Sequence, residues 1–484
     1  MLDAAIQREL AAILPASALL TDAEDTRPYE CDGLTMHREL PGAVAIPDDE
    51  AQVAAIVARC NAAGVPIVAR GAGTSLSGGA RPDKRGVLLS LAKLRRIVAI
   101  DPLSRTAVVQ PGVRNLAISE AAAPYGLYYA PDPSSQIACT IGGNVAENAG
   151  GVHCLKYGLT VHNVRRVRGV LMTGEIVEFG GDALDSAGYD LLALVTGSEG
   201  LLAVTTEITV KLTPKPPAAQ VALAAFDDVG KAGEAVAAVI ASGCIPAGLE
   251  MMDRKATRAV EEFVHADYPL DAAAVLLVEV DGTQAEVGAD MAELSGLLRE
   301  AGATSIRVSR DERERLLLWS GRKAAFPAIG RITPDYYCMD GTIPRRALAE
   351  VLLRIEELSE HYKLRCANVF HAGDGNLHPL IMFDANQPDE TRRTEAFGAD
   401  ILELCIAVGG TITGEHGVGV EKLPQMCVQF APKELERFLG IKAAFDPQTL
   451  LNPGKGVPTL SRCAEFGKMH VHHGNLPHPE LPRF

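Results

Sequence analysis

The sequence lacks any long apolar run. No stretch of its 484 residues approaches the roughly 18 consecutive apolar residues of a membrane-spanning helix. The first twenty residues carry Asp3, Arg8 and Glu9 between apolar positions, so we expect a short amphipathic helix there and not a signal peptide. Positive charge is also scarce, with 46 Lys and Arg against 61 Asp and Glu and a formal net charge of −15. Because nucleic-acid affinity depends on neutralising phosphates, this balance argues against a nucleic-acid partner.

Closely spaced cysteine pairs are missing as well. The ten cysteines are scattered, and no two of them stand in a C-x-x-C arrangement. In a chain of this length, that distribution predicts reduced thiols in a cytoplasmic protein. It also argues against an iron–sulfur cluster held by this chain alone.

The order of predicted elements indicates an α+β protein of two or three domains. Pro214-Lys215-Pro216-Pro217 is the clearest linker, and no internal repeat is present. Beyond this linker we expect a strand, a helix and a second helix that starts near residue 253, and then a strand, a helix and a strand between 274 and 308. This order resembles a split β-α-β unit of the ferredoxin-like kind. From Pro424 onward the pattern is helical.

Glycine is abundant instead, with 46 residues that concentrate in a few segments. Four of them lie in the loop 70–79, directly after a short predicted strand. The loop is not a Rossmann fingerprint, because the glycine that follows Gly73 is Gly78 and the next predicted element is a strand and not a helix. Successive backbone N–H groups in such a loop can bind an anion such as a pyrophosphate. The alternative is a plain surface turn, which four glycines, three hydroxyls and an arginine disfavour.

Further motifs follow this loop. They are Pro131-Asp132-Pro133-Ser134-Ser135, Thr140-Ile141-Gly142-Gly143-Asn144, Asn148-Ala149-Gly150-Gly151 and Gly197-Ser198-Glu199-Gly200. Together with the first loop they resemble the FAD-binding domain of the vanillyl-alcohol-oxidase/p-cresol-methylhydroxylase (PCMH) superfamily. The resemblance implies a PCMH-type FAD-binding domain of two α/β subdomains over residues 38–216, preceded by an N-terminal helical segment over residues 1–37.

The same resemblance implies how FAD is bound. In that superfamily the first loop wraps the pyrophosphate, and the stretch 131–144 runs along the flavin. Some members attach the flavin covalently through a His of the first loop. The corresponding residue here is Thr74, so we expect dissociable FAD, although His153 lies near the flavin stretch. The implied FAD-binding residues are Arg70, Gly71, Ala72, Gly73, Thr74, Ser75, Gly78, Pro131, Asp132, Ser134, Ser135, Thr140, Gly142, Gly143, Asn144, Asn148, Gly150, Glu199 and Gly200.

A pair of histidines is the strongest chemical signal. His371 and His378 flank Asp374-Gly375, which is typical of a two-residue hairpin turn. With that turn at the tip, His371 would lie directly opposite His378 on one face, a spacing that suits two ligands of one metal. The later segment Gly409–Gly417 adds Glu415 and His416, and two His with one carboxylate form a common divalent-metal site. The alternative is that these histidines only pack in a hairpin.

The C-terminal half resembles the FAD-linked D-2-hydroxyacid dehydrogenase branch of the same superfamily. The motifs that carry this resemblance are H-x-G-D-G-N-x-H at 371–378 and G-E-H-G at 414–417. The resemblance implies that His371, His378 and Glu415 hold a divalent metal such as Zn, Mn or Fe, and that His416 is the catalytic base. It also implies a substrate or cap domain over residues 217–423. A C-terminal helical segment with a His-rich tail would follow over 424–484 and pack back on the FAD domain.

Arg322 occupies the place of a carboxylate-binding arginine in that branch, within Trp319-Ser-Gly-Arg322-Lys323. A guanidinium can bind a carboxylate through two parallel hydrogen bonds. The alternative is an ordinary surface arginine on a charged helix. Members that oxidise dicarboxylic acids place a lysine in the strand that is Tyr336–Asp340 here, and no cation stands there. We therefore expect a small monocarboxylate such as glycolate or D-lactate, oxidised to the 2-oxo acid.

The tail holds four histidines, His470, His472, His473 and His478, which could bind metal, shield a partner's cluster or simply pack. The tail and residues 335–344 resemble a flavin-bearing subunit that works with a second FAD-domain subunit and an iron–sulfur subunit. We then expect electrons to pass to such a partner, with any membrane contact made through partners. The alternatives are a stand-alone D-lactate dehydrogenase and a catalytically silent electron-relay flavoprotein.

Overall fold

The computed structural model describes residues 2–183 and 188–466. The part before residue 217 contains eleven strands among these residues: β1 (Leu19–Leu20), β2 (Ala43–Ala45), β3 (Ile67–Arg70), β4 (Val87–Ser90), β5 (Ile97–Asp101), β6 (Thr106–Val109), β7 (Leu127–Tyr128), β8 (Val164–Val170), β9 (Ile176–Gly180), β10 (Val204–Lys211) and β11 (Thr213–Pro214). Its helices are α1 (Ala4–Ile13), α2 (Ala23–Thr26), α3 (Glu50–Ala63), α4 (Asn115–Ala122), α5 (Ile141–Glu147), α6 (Cys154–Tyr157), α7 (Thr160–Asn163) and α8 (Leu191–Val195).

These strands form two main sheets, which correspond to the two expected α/β subdomains. The first has the order β1-β2-β4-β3 and is parallel except for β1, and the second is the antiparallel sheet β5-β6-β10-β8-β9. Helix α3 covers the first sheet because Val53, Ile56 and Val57 form one buried stripe. Asp49 caps its first turn, and Gly64 ends it in the left-handed conformation.

The middle of the chain builds one large antiparallel sheet with helices on both faces. Its strands are β12 (Ala218–Phe226), β13 (Gly248–Asp253), β14 (Ala274–Gly282), β15 (Ser305–Val308), β16 (Asp335–Cys338), β17 (Cys366–His371) and β18 (Asn376–Phe383). The helices are α9 (Val229–Ala241), α10 (Arg254–Val264), α11 (Gln284–Glu300), α12 (Glu312–Lys323), α13 (Ala325–Ile329), α14 (Leu348–Tyr362) and α15 (Pro388–Ala407).

The strand order of this sheet, β15-β12-β14-β13-β17-β18-β16, contains the expected ferredoxin-like unit in β12 to β15. Strand β13 is absent from the sequence-based prediction, which passes directly from one helix to the next. Strands β16, β17 and β18 extend the sheet beyond β13. The fold is therefore the expected α+β arrangement with a wider cap sheet than the sequence indicates.

The two faces of the cap sheet differ in what covers them. Alternate residues such as Ala222, Leu249 and Phe370 belong to a core with α9, α11 and α14. Their neighbours, such as Leu223 and Met252, belong to the opposite core with α10, α12 and α13. Strand periodicity places Glu250, His371 and His378 on this second face.

The last described helices are α16 (Leu423–Gln429), α17 (Pro432–Phe445) and α18 (Leu460–Glu465). Helix α17 and the loop that follows it contact the part of the chain before residue 217. The backbone N–H of Asn452 donates to the carbonyl of Ile67 at 2.7 Å, and Lys442 donates to the carbonyl of Leu201 at 2.6 Å. Within residues 2–183 and 188–466, none of the helices is both long and apolar enough to cross a bilayer.

Two cysteines form a disulfide that the sequence-based prediction did not include. Cys427 of α16 and Cys463 of α18 are bonded, with their Cα atoms 5.6 Å apart, although 36 positions separate them in sequence. The expectation that all thiols are reduced is therefore wrong for this pair, while the other eight cysteines are free. Only the packing of α18 against α16 brings the two sulfurs together, and spacing along the chain does not reveal it.

We predict that Cys463→Ser lowers the free energy of unfolding under non-reducing conditions by up to about 4 kcal/mol, because it releases a loop of some 36 residues. Denaturant unfolding measures the difference, and Cys244→Ser, which removes a free and partly exposed thiol, is the matched control. Complete alkylation of Cys427 and Cys463 in the native protein without reductant would contradict the assignment.

Candidate functional site

One cavity of about 380 Å³ joins the glycine loops of the first part of the chain to the histidine motifs of the cap. Its glycine end is lined by the first loop, and its other end is lined by His378, Glu415 and His416. Of the predicted FAD-binding residues, the cavity is lined by Arg70, Gly71, Ala72, Gly73, Thr74, Ser75, Ser134, Ser135, Thr140, Gly142, Gly143, Asn144, Glu199 and Gly200.

The remaining predicted FAD-binding residues lie behind the cavity wall. Gly78, with φ +76°, packs against Val420, whose side chain fills the space that a Cβ would occupy. The carbonyl of Pro131 accepts a hydrogen bond from the Asn115 side chain, and Asn148 accepts one from the backbone of residue 161. Asp132 Oδ2 instead lies 2.8 Å from His153 Nδ1, and the backbone N–H of Gly150 donates to Glu415. None of these five residues lines the cavity.

The first loop requires glycine at two positions. A Cβ on Gly71 would lie 2.3 Å from Thr140 Oγ1, and a Cβ on Gly73 would fall on the guanidinium of Arg70. The backbone of the loop therefore lies close to the second motif, and the space between them is left for a ligand. Thr140 Oγ1 and Glu147 Oε2 are buried with no hydrogen-bond partner among the described residues, and both residues line the cavity. Unsatisfied buried polar atoms of this kind fit a polar cofactor such as FAD.

The histidine hairpin has a different register from the predicted one. His371 pairs with Asn376, and His378 pairs with Val369, so residues 372–375 form a four-residue turn. Asp374 does not adopt the positive φ that the predicted two-residue turn requires, whereas Gly375 does, at +84°. The two histidines are therefore diagonal neighbours instead of a directly opposed pair. They still share one face, with ring centroids 5.0 Å apart.

His371, His378 and Glu415 come together as potential metal ligands. Glu415 Oε1 lies 3.3 Å from Nε2 of both histidines, and the three ligand atoms lie within 4.8 Å of one another. Nε2 of His378 is buried without a hydrogen-bond partner among the described residues. Two imidazole nitrogens and a carboxylate oxygen with an open side toward the cavity are the donors that Zn, Mn or Fe accept. The residues present therefore fit a divalent metal.

His416 lies beside this cluster. Its ring stacks on His378 with centroids 4.9 Å apart, and its Nε2 lies 3.9 Å from Glu415 Oε1. Burial lowers the pKa of His416 to about 4. The neighbouring histidines outweigh the effect of burial on Glu415 and lower its pKa to about 2. At neutral pH the pair is therefore a neutral imidazole next to a carboxylate.

Glu250 is a site residue that the sequence analysis missed. It lies on β13, where the pairing of Met251 with Phe370 brings it beside His371. Its Oε1 lies 2.7 Å from His371 Nδ1, so Nε2 of that ring is left to face Glu415. Its Oε2 accepts a 2.7 Å hydrogen bond from Arg322 Nε. A buried carboxylate in the apolar stretch Gly248–Met252 is the signal that could have identified it.

Arg322 is a buried side chain and not a surface arginine. It is 1% exposed, and Glu250 holds its Nε. Its two terminal nitrogens, Nη1 and Nη2, are buried with no hydrogen-bond partner among the described residues. The residue does not line the cavity, although its neighbour Lys323 does. One carboxylate thus connects this guanidinium to the proposed metal ligand His371.

Asp340 is the second residue that was missed. Its fully buried Oδ2 accepts hydrogen bonds from the backbone N–H groups of Gly414 and His416 at 3.1 and 2.9 Å, from the hydroxyl of Thr413 and from the ammonium of Lys422. Its Oδ1 accepts the N–H of Glu415 at 3.2 Å. Burial raises the pKa of Asp340, but Lys422 and the histidines outweigh burial and hold it well below its usual range. One carboxylate therefore fixes the loop that carries Glu415 and His416.

His153 connects the FAD-binding part to the cap. Its Nδ1 lies 2.8 Å from Asp132 Oδ2, and its Nε2 lies 3.2 Å from Glu279 Oε1 on the cap sheet. It does not line the cavity, so it bridges the two parts outside the space left for a ligand. Burial alone would lower the pKa of His153, but the two carboxylates raise it to about 10. The four tail histidines, His470, His472, His473 and His478, lie outside the described residues.

The chain matches known families over both of its parts. Residues 41–180 match the family described as FAD binding domain, and residues 215–456 match the family described as FAD linked oxidases, C-terminal domain. The chain belongs to the FAD-linked oxidases. It is 62% identical over 471 residues to glycolate oxidase subunit GlcD of Escherichia coli, which covers 97% of this chain and 94% of that protein.

More distant relatives agree with this placement. The chain is 34% identical to a D-lactate dehydrogenase of Anaerostipes hadrus over 84% of this chain and 87% of that protein. The solved structure of p-cresol methylhydroxylase with bound substrate superimposes with a TM-score of 0.81 at 17% identity, over 94% of this chain and 97% of that chain. At that identity the likeness shows the fold alone, which is the expected PCMH-type fold.

We predict that the extra stability that His153 gives over a His153→Gln variant is lost as pH rises from 7 toward 10. The folded pKa of about 10 lies above the unfolded value of 6.5, so the ion pairs stabilise fully at low pH and disappear as the ring loses its proton. Thermal unfolding of both proteins across this range measures the effect. A difference in stability that stays constant with pH would contradict it.

We predict that Asp340→Asn weakens divalent-metal affinity about 10–100-fold, because the loop that carries Glu415 loses its anchor. Chelator competition measures the affinity. Since the variant leaves Lys422 buried and unpaired, Asp340→Asn/Lys422→Met serves as a second variant that removes this charge. Asp335→Asn, at the start of β16 and bonded to the backbone N–H of Ala385, is the control and should keep wild-type affinity. Equal affinities in all four proteins would refute the role of Asp340.

Proposed function

We propose that this chain oxidises a small D-2-hydroxy acid to the 2-oxo acid, with glycolate to glyoxylate as the leading reaction. The observation that carries the proposal is the shared cavity. His378, Glu415 and His416 line the same space as the first glycine loop, so a substrate held at the histidines would adjoin the cofactor. The 62% identity to a protein named as a glycolate oxidase subunit supports glycolate as the substrate.

In this proposal the residues of the first loop and of the stretch 131–144 hold FAD without a covalent bond, since Thr74 offers no imidazole. His371, His378 and Glu415 hold one divalent metal. When bound, FAD would supply the acceptor for the hydride of the substrate Cα, and the metal would supply the charge that lowers the pKa of the substrate hydroxyl. The side chains of this chain bind the substrate, orient it and remove its hydroxyl proton.

His416 takes the hydroxyl proton. Its low pKa keeps the imidazole neutral at working pH, and its Nδ1 is buried without a hydrogen-bond partner among the described residues. A positioned general base of this kind contributes about 10²–10⁴ in rate. Arg322 holds the substrate carboxylate through its two free terminal nitrogens, while Glu250 keeps the guanidinium in place. Arg322 then both orients the substrate carboxylate and neutralises its charge.

Electrons leave through partner proteins in this proposal. The relative in E. coli is named as a subunit, which supports partner subunits for this chain as well. A second FAD-domain subunit and an iron–sulfur subunit would take the electrons toward the quinone pool. The chain itself would be cytoplasmic, with any contact to the inner face of the membrane made through these partners.

A stand-alone D-lactate dehydrogenase is the second candidate, and the 34% identity to a protein of that name supports it. The two candidates share the site chemistry and differ in the preferred acid and in the need for a partner. Purification distinguishes them, because activity with an artificial dye and no co-purifying subunit favours the stand-alone enzyme.

We expect glycolate to bleach the flavin absorbance of the anaerobic protein, with D-lactate slower and L-lactate and D-2-hydroxyglutarate inactive at equal concentration. His416→Gln should slow bleaching about 10²–10⁴-fold while flavin content stays unchanged. Stopped-flow absorbance measures the rates.

His162→Gln is the matched control, since this histidine is outside the cavity lining. The flavin of this variant should bleach at the wild-type rate. Faster bleaching by D-lactate would favour the second candidate. A wild-type flavin that no member of the panel bleaches would reject both and leave a silent electron-relay subunit.

A further inference from the structure

The cavity presents an electrostatic difficulty for an anionic substrate. The chain carries a net charge of −15, and the cavity itself is lined by three carboxylates, those of Glu147, Glu199 and Glu415. Burial raises the pKa of Glu147 and of Glu199, which reduces their negative charge but supplies no positive one. A 2-hydroxy acid therefore needs a cation on its route to the histidines.

Two other cations lie at or near the cavity, and each already uses one nitrogen in a hydrogen bond. Arg70 lines the glycine end of the cavity, and its Nη1 donates to the carbonyl of Cys31 at 2.6 Å. Arg322 lies behind the wall, with Nε on Glu250. Neither of them stands where the cavity meets solvent at the cap side.

Lys323 lies where the cavity meets solvent at the cap side. It is the last residue of α12, its side chain is exposed, and it lines the cavity together with Phe326 and Pro327. The ring of Phe326, three positions further on, lies 6.5 Å from the ring of His378. No carboxylate among the described residues lies within ion-pair distance of Lys323, whereas Arg322 beside it is paired. Lys323 is thus a free cation at the cap-side mouth of the cavity.

We propose that Lys323 is a specificity residue that draws the carboxylate of the substrate into this mouth and holds it there before Arg322 does. The proposal rests on the function proposed above and deepens it. A solvent-exposed ammonium interacts with an anion over roughly a Debye length, so its effect falls as salt screens the charge. This long-range attraction acts equally on the bound acid in the ground state and in the transition state, and it therefore changes substrate affinity and not the limiting rate.

Anaerobic flavin reduction by glycolate tests the proposal. We expect Lys323→Gln to raise the apparent Kd about tenfold, Lys323→Glu to raise it further and Lys323→Arg to restore it, with the limiting reduction rate changed by less than about twofold. In the wild type the second-order rate should fall as ionic strength rises, and in Lys323→Gln this dependence should be flatter. Lys433→Gln, which removes an exposed lysine outside the cavity lining, should behave as the wild type.

A non-reacting anion separates this proposal from the proposed function. Oxalate binding, followed by the shift in flavin absorbance, should weaken in Lys323→Gln and recover in Lys323→Arg. Bleaching of the wild type together with unchanged affinities in Lys323→Gln would overturn the role of Lys323 and leave the function intact. Weaker oxalate binding in the variant would support that role even if no acid in the panel bleached the wild type.

Discussion

The buried pair of Asp340 and Lys422 is the interaction on which the rest of the site depends. Both side chains are fully buried, and their charged atoms lie 3.0 Å apart. Such a pair stabilises little by itself, because desolvation offsets most of the attraction. Its value here is positional, since the same carboxylate also binds the backbone of Gly414, Glu415 and His416. Three successive amides directed at one anion leave the loop a single conformation.

A second buried carboxylate organises the other half of the cluster. Glu250 fixes the ring of His371 on one side and the guanidinium of Arg322 on the other. It stands on a central strand of the cap sheet, where packing on both faces holds the backbone rigid. The proposed metal ligands thus come from two structures, a hairpin and a glycine-rich loop, and each is held by one acidic residue. Because Gly150 also donates to Glu415 at 3.0 Å, the FAD-binding part contacts the cluster directly.

The site residues that lie in short motifs could be predicted from the local sequence alone. The glycine loop 70–79 and the group His371, His378, Glu415 and His416 were recognisable because their residue types are rare in such density. The predicted register of the hairpin is wrong. Asp374-Gly375 can form a two-residue turn or the second half of a four-residue turn, and the folded hairpin has the four-residue turn. A carboxylate within an apolar run could have identified Glu250, but its contacts, the role of Asp340 and the Cys427–Cys463 bond depend on distant segments, and no local pattern reports such contacts. The sequence pattern did not predict strand β13, because Glu250 interrupts its apolar run.

The central claim is that His371, His378 and Glu415 hold a metal beside FAD. Its most direct test is the ratio of divalent metal to flavin, determined by elemental analysis and absorbance on the purified protein that glycolate still bleaches. The account predicts one tightly held Zn, Mn or Fe ion per flavin, lost in Glu415→Gln while the flavin is retained. A preparation that bleaches fully with glycolate and contains no such metal would contradict it.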